Sequence, residues 1–267
     1  MPNSVAGESI IQRVARVLAA FDADSTGLTI AEISRRADLP ESTARRMVGE
    51  LIDEGILARQ DARLVGIGHR LWAQVSRTSP TLKLRDAAIG YMDDIQTVVG
   101  HHTTLSVLDG DEALYIERLG SRNSTTSIAN VASRLPWHTV SAGWVLVAND
   151  DRSEEERRLR RRLIAHTDAT ITDPAVLRAK LADVRRTGYA VCAAMSVPAS
   201  TGISVPVRGG TGEVVAALGV IVPVAENRVP SALPLLMAAS RGISRALGWA
   251  GGSEAPGHWR SSHPMSS

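Results

Sequence analysis

Between residues 10 and 247 the spacing of apolar positions changes several times, and each change marks an element. Ile10, Val14, Val17, Leu18 and Phe21 share one helical face and predict a helix over residues 9–21. Ile30, Ile33 and Ala37, then Ala44, Met47, Val48, Leu51 and Ile52, recur at three- and four-residue spacings and predict two short helices, each with one buried stripe. Asp38-Leu39-Pro40 stops the first of the pair, because the residue before proline avoids helical backbone and proline lacks the donor an interior turn needs. Thr29 or Thr26 caps that helix, Pro40 or Glu41 opens the next, and Gly55 is placed to end it. Short β-like runs at 56–58 and 63–67 follow, joined by Gln60-Asp61-Ala62.

Thr78-Ser79-Pro80 interrupts the chain, and residues 82–98 are again helical, which predicts a linker helix within 77–99. A hairpin comes next: residues 104–108, the turn Asp109-Gly110, then 113–119. Helical stretches cover 141–148 and 154–165, and another runs from the cap Asp173-Pro174 to Gly188. Strand-like runs at 189–192, 203–207 and 214–222 follow, the last two joined by Gly209-Gly210-Thr211-Gly212, and a helix over about 231–247 closes the pattern. The expected architecture is two domains. Residues 1–76 form a mainly α winged helix-turn-helix, and residues 100–250 an α+β domain with a mostly antiparallel sheet. Residues 251–267, rich in Gly, Ser and Pro, are expected to be a disordered tail.

With the buried stripe of residues 41–53 fixed, Ser42, Thr43, Arg45, Arg46 and Gly49 must face outward, the first four near the amino end. In helix-turn-helix proteins the second helix enters the major groove with its N-terminal residues on base edges. Arginine pairs bidentately with guanine, and Ser or Thr contacts bases or phosphates. Arg35 and Arg36 on the preceding helix read either as phosphate contacts or as exposed side chains, and Arg63 flanks the wing turn. The expected partner is double-stranded operator DNA.

Composition narrows the alternatives. The formal net charge is +2, and residues 1–76 hold no excess of arginine over acidic residues, so charge must act through local placement. One Phe and three Tyr leave too few aromatics for the stacking platforms that bind single strands or RNA. Cys192 is the only cysteine, which excludes an internal disulfide and a thiolate-rich metal site. No signal-peptide pattern opens the chain, and the apolar run 214–225 is too short to span a bilayer. The expectation is a cytoplasmic protein without metal or cofactor.

Taken in order, several segments resemble those of IclR-type transcriptional regulators. They are Gly27-Leu28-Thr29-Ile30-Ala31-Glu32-Ile33, Leu39 through Arg46, Gly68 with Arg70-Leu71, Val107-Leu108-Asp109-Gly110, Leu135-Pro136-Trp137-His138, Gly188-Tyr189-Ala190-Val191 and Gly212 through Leu218. The resemblance covers about residues 9–247. It implies a GAF-like effector domain and a homo-oligomer, a dimer or dimer of dimers, acting as a repressor on a palindromic operator. In that family a pocket for small organic acids is lined by a glycine region, an acidic residue, a cysteine and a serine. Matched by motif, these positions are Gly143, Cys192, Gly202 and Gly219, with Trp144 where a lysine is often found. Three of the four are altered, which predicts a larger, less polar effector, aromatic or lactone-like, with Trp137, Trp144, Met195 and Ile203 as candidate lining. His138 reads as structural or pocket-facing, the tryptophans equally as core or dimer contacts, and Gly202 and Gly219 equally as backbone requirements.

Other signals read more plainly. Arg157-Arg158 and Arg160-Arg161-Arg162 follow Glu154-Glu155-Glu156, predicting an exposed helix with Glu154–Arg158 and Glu156–Arg160 pairs. Cys192 in an apolar strand reads as a small hydrophobe rather than a redox sensor. His101-His102 lacks a third metal ligand at a recognised spacing. An enzyme or redox sensor built on the second domain is the rival function, but no phosphate loop or nucleophile elbow supports it.

Overall fold

Ser9 and Thr29 start their helices by the same device. Ser9 Oγ accepts from the Gln12 N–H and the Gln12 side chain accepts from the Ser9 N–H, opening α1 (Ile10–Ala19). Thr29 and Glu32 repeat the exchange for α2 (Ile30–Arg36). Each such cap contributes about 1 kcal/mol by satisfying helix donors that have no intrahelical partner. α2 ends where Asp38 takes a left-handed φ of 50° and the Leu39 N–H bonds the Ser34 carbonyl at 3.0 Å. α3 (Glu41–Asp53) ends the same way at Gly55, φ 68°, with Ile56 N–H on the Leu51 carbonyl. β1 (Leu57–Arg59) and β2 (Val65–Ile67) pair antiparallel as the wing, and Leu28 bridges to Val65. Val17, Ile33, Ala44, Met47, Leu57 and Val65 form one core beneath these elements.

The computed structural model describes residues 8–22, 25, 27–120 and 130–251, so Thr26 and the tail beyond residue 251 lie outside the described residues. The chain divides after Pro80 into two units. α4 (His69–Thr78), which the apolar pattern does not announce, follows the wing and buries none of its residues fully. Ser79 is extended ahead of Pro80, as a residue before proline prefers, and α5 (Pro80–Val99) begins there. Instead of standing apart as a linker, α5 buries Leu84, Ala88, Met92, Ile95 and Val99 in the core of the second unit.

That unit is built on β3 (His102–Asp109), β4 (Glu112–Leu119), β5 (Arg134–Pro136), β6 (Ala190–Ala193), β7 (Ser200–Arg208) and β8 (Val214–Pro223). They form one sheet in the order β5-β4-β3-β8-β7-β6, with every pairing antiparallel. A single 3-10 turn, Trp137–Thr139, leads into α6 (Ser141–Ala148), which is buried along its whole length on one face of the sheet. α7 (Arg152–Leu159) and α8 (Pro174–Thr187) continue that layer. α5 and α9 (Val229–Ala246) cover the other face.

The expected exposed arginine helix is corrected. α7 stops at Leu159, so Arg160, Arg161 and Arg162 lie beyond it. Arg157, Arg158 and Arg161 all turn to Asp111 at the β3–β4 turn, and Arg158 is only 5% exposed, bonding Asp150 at 2.7 Å and the Gly110 carbonyl. Glu156 is held by Arg178 through two bonds of 2.8 and 2.9 Å rather than by Arg160. The predicted Glu154–Arg158 pair is present at 3.8 Å, while the remaining charges join separate elements instead of lining one solvated face.

Candidate functional site

On α3, Ala44, Met47, Val48 and Leu51 are buried, which leaves Ser42, Arg45 and Arg46 exposed and Thr43 half-buried. Arg45 pairs with Glu41 and Arg46 with Glu50, both at 2.7 Å and both in solvent, where such pairs are worth well under ~1 kcal/mol and exchange readily for a stronger acceptor. A Cβ added to Gly49 would meet nothing within 4 Å, so no packing inside the chain calls for glycine there. Arg63 is exposed in the wing turn, where Asp61 accepts from the N–H groups of Arg63 and Leu64, and these two bonds hold the Asp61 carboxyl below its usual range. Arg35 is exposed. Arg36 is committed internally: its guanidinium donates to the Ala20 carbonyl, Asp22 and Ser25, each at 2.9 Å, and so ties the end of α1 to α2.

The second unit holds a cavity, partly open to solvent, between the start of α6 and the sheet. Its lining comes from Thr104, Tyr115, Leu135, Thr139, Val140, Ser141, Cys192, Met195, Ser196, Val197, Ser200, Gly202, Ser204, Val220 and Ile221. None of these carries a formal charge. Of the residues singled out from the sequence, Cys192, Met195 and Gly202 are in the lining. Trp137 and Trp144 are core instead, 2% and 4% exposed, and the Trp144 indole donates to the His138 carbonyl. His138 is buried against the Ile164 carbonyl at 3.0 Å. Ile203 points the other way, because side chains alternate along β7 and its neighbours Gly202 and Ser204 take the cavity side. Gly143 is a packing requirement: a Cβ there would lie 2.2 Å from the Trp137 carbonyl oxygen.

The glycines also acquire a different meaning. A Cβ on Gly202 would stand 2.8 Å from Ser141 Oγ, and one on Gly219 would stand 2.5 Å from Ser204 Oγ and 3.3 Å from Thr104 Oγ1. These two positions do not simply strip polarity from the pocket. They make room for hydroxyls delivered from neighbouring elements, with Ser141 Oγ and Ser204 Oγ 2.8 Å apart. Sequence reasoning missed these hydroxyls because Ser and Thr on strands are commonplace, although Thr104, Ser204 and Tyr115 all fall on inward positions of an alternating pattern.

The electrostatics are those of a neutral cavity with one positive edge. α6 has no side-chain cap, and the N–H groups of Ser141, Ala142 and Gly143 have no partner among the described residues. Such a buried helix start presents donors and the positive end of the helix dipole. Thr104 and Tyr115, 2% and 3% exposed, also make no hydrogen bond through their hydroxyls to any described residue. Burial pushes the Cys192 thiol and the Tyr115 phenol above their ordinary values, so both stay protonated. A protonated, buried thiol is a poor nucleophile. Among the described residues, no group of three or more His, Cys, Asp or Glu is placed to hold a metal, and no helix is long and apolar enough to cross a membrane. His101 pairs with Glu226 and His102 with Arg118.

A winged helix-turn-helix joined to an α+β domain containing a hydroxyl-lined cavity defines a two-domain, HTH-type transcriptional regulator. Residues 11–61 match the IclR helix-turn-helix domain and residues 77–245 match the bacterial transcriptional regulator IclR C-terminal domain. The chain therefore belongs to the IclR family. It is 32% identical over 239 residues to the Pca regulon regulatory protein of Pseudomonas putida, covering 86% of this chain and 81% of that one. It is 26% identical to the HTH-type transcriptional regulator XynR of Escherichia coli, covering 90% and 97% respectively. Among solved structures, an IclR homolog from Microbacterium hydrocarbonoxydans complexed with 4-hydroxybenzoate is 39% identical, with a TM-score of 0.83 over 90% of this chain and 99% of that one.

Proposed function

We propose that this regulator binds double-stranded operator DNA as a homo-oligomer, reading bases with Ser42, Thr43, Arg45 and Arg46 on α3 and phosphates with Arg35 and Arg63, and that a small aromatic monocarboxylate in the cavity alters that binding. One observation carries the effector class: a neutral, hydroxyl-lined cavity closes on the uncapped, buried start of α6. A single carboxylate suits those donors, and with no cation among the described lining residues a second negative charge would be desolvated without a partner there. The apolar remainder, Leu135, Val140, Met195 and Val197, suits an aromatic body. Similarity to the 4-hydroxybenzoate-bound homolog supports the same reading. Arg36 acts as a brace for α2 in this scheme. Regulation requires that the effector bind the DNA-competent and DNA-released forms with different affinity.

The test is a gel shift at stated salt with the promoter next to the protein's own gene, titrated with benzoates and, in parallel, with glyoxylate. The expected result is a specific complex whose midpoint moves with an aromatic acid and not with glyoxylate. A complex indifferent to every aromatic acid, or tight glyoxylate binding by calorimetry, would refute the effector assignment.

A further inference from the structure

Among the described residues lining the cavity, Tyr115 carries a large polar group that no described residue hydrogen-bonds. It lies on β4, and its ring is buried in the core around α6 while its hydroxyl opens on the cavity. No described residue hydrogen-bonds that hydroxyl. Its cross-strand partner Ser106 shares its face of the sheet yet leaves its own Oγ without a partner. From β6, on the far side of the sheet order, Cys192 lines the same cavity. A hydroxyl that faces a cavity without a protein partner is free to bond a guest that brings an acceptor.

Resting on the aromatic-monocarboxylate reading above, we infer that Tyr115 is the specificity-determining residue of the cavity, donating its hydroxyl proton to a neutral oxygen substituent on the effector's ring. The effector class narrows to hydroxylated aromatic acids. The carboxylate belongs to the donors at the start of α6, whereas Tyr115 is reserved for the second oxygen. Because phenol and thiol both remain protonated, this second contact selects a neutral hydroxyl and disfavours a second carboxylate. A site built to hydrogen-bond a substituent rejects an analogue lacking it far more strongly than an apolar pocket rejects a misfit of one methyl group.

The experiment is calorimetry on the full chain with the hydroxybenzoate isomer that binds best, the matching methylbenzoate of nearly equal size, and benzoate. The wild type is expected to prefer the hydroxyl over the methyl by about tenfold or more. In Tyr115→Phe that ratio should fall to within about threefold. A ratio retained in Tyr115→Phe overturns the inference, as does an equal loss for all three acids, which would place the tyrosine on the carboxylate. If Tyr115→Phe does not fold, the wild-type ratio decides by itself, since equal binding of the hydroxyl and methyl acids overturns the inference. If no benzoate binds at all, the underlying effector reading fails, a result distinct from an unchanged ratio.

Discussion

Ser141 Oγ and Ser204 Oγ lie 2.8 Å apart, linking the first residue of α6 to the middle of β7 across the cavity floor. The contact exists because Gly202 and Gly219 leave the space that both hydroxyls occupy. Each serine has hydrogen-bonding capacity left over beyond the other. The pair therefore couples the helix start to the sheet and offers a ready contact for a guest.

Replacing either serine should affect ligand more than fold. Ser141→Ala and Ser204→Ala are each expected to lower stability by about 1 kcal/mol, the net worth of one such bond, and to weaken binding of an aromatic acid by about tenfold. Thermal denaturation and calorimetry on the same preparations check both numbers. Gly202→Ala should mimic the binding loss by displacing Ser141 Oγ.

Arg45→Ala and Arg46→Ala should leave the melting temperature nearly unchanged, because their partners Glu41 and Glu50 are solvent-exposed. Each should reduce specific operator binding by about 1–3 kcal/mol if it reads a base. Intact specific binding in both variants would defeat the assignment of α3. Gly49→Ala, with open space around the new methyl, should stabilise the first unit by about 0.5–1 kcal/mol. It should weaken DNA binding if the backbone approaches the duplex there, and a salt series separates that loss from a change in phosphate contacts.

Gly143→Ala should be among the most damaging small substitutions in the second unit. The new methyl would meet Trp137 backbone at 2.2 and 2.5 Å, atoms that cannot rotate aside as a side chain can. Overpacking of this kind costs about 1–3 kcal/mol, and chemical denaturation would measure it. The damage should extend to the effector site, because the displaced turn carries Thr139 and Val140 into the lining.

His138 predicts a pH dependence of stability. Burial holds its pKa below the ordinary 6.5, so the unfolded chain takes up a proton at a higher pH than the folded one. The stability it contributes is therefore present above about pH 6.5 and is lost as the pH falls through the folded value. His102, also lowered by burial first, acts in the same direction. The melting temperature should drop between about pH 7.5 and about pH 5.5, and His138→Gln, whose amide can still reach the Ile164 carbonyl, should flatten that drop. A variant with an unchanged slope would remove His138 from the account.

The first unit was the more legible from sequence. Its helices are short, local and amphipathic, and their limits are set by residues adjacent in the chain: Thr29 with Glu32, Asp38 before Leu39-Pro40, and Gly55. The hairpins of the second unit were equally readable from Asp109-Gly110 and Gly209 through Gly212. β5 was not, since three residues ending in proline carry no alternation, and α4 was not, since its apolar side chains are left uncovered. The arginine run misled because arginine's reach lets it pair with whatever the fold brings near, here Asp111 some 46 residues distant in the chain.

By itself, the sequence determined the element order apart from α4 and β5, the outward Ser-Thr-Arg-Arg face of α3 and the family, because periodicity and capping act over a few residues. Only the tertiary structure decided the cavity. Thr104, Tyr115, Ser141, Cys192 and Ser204 come from five different elements, and no local pattern records that they meet. Two glycines that look in sequence like lost polar groups turn out to be the space into which hydroxyls from other elements fit. That follows from close packing in three dimensions, where the absence of one Cβ fixes the place of another residue's oxygen.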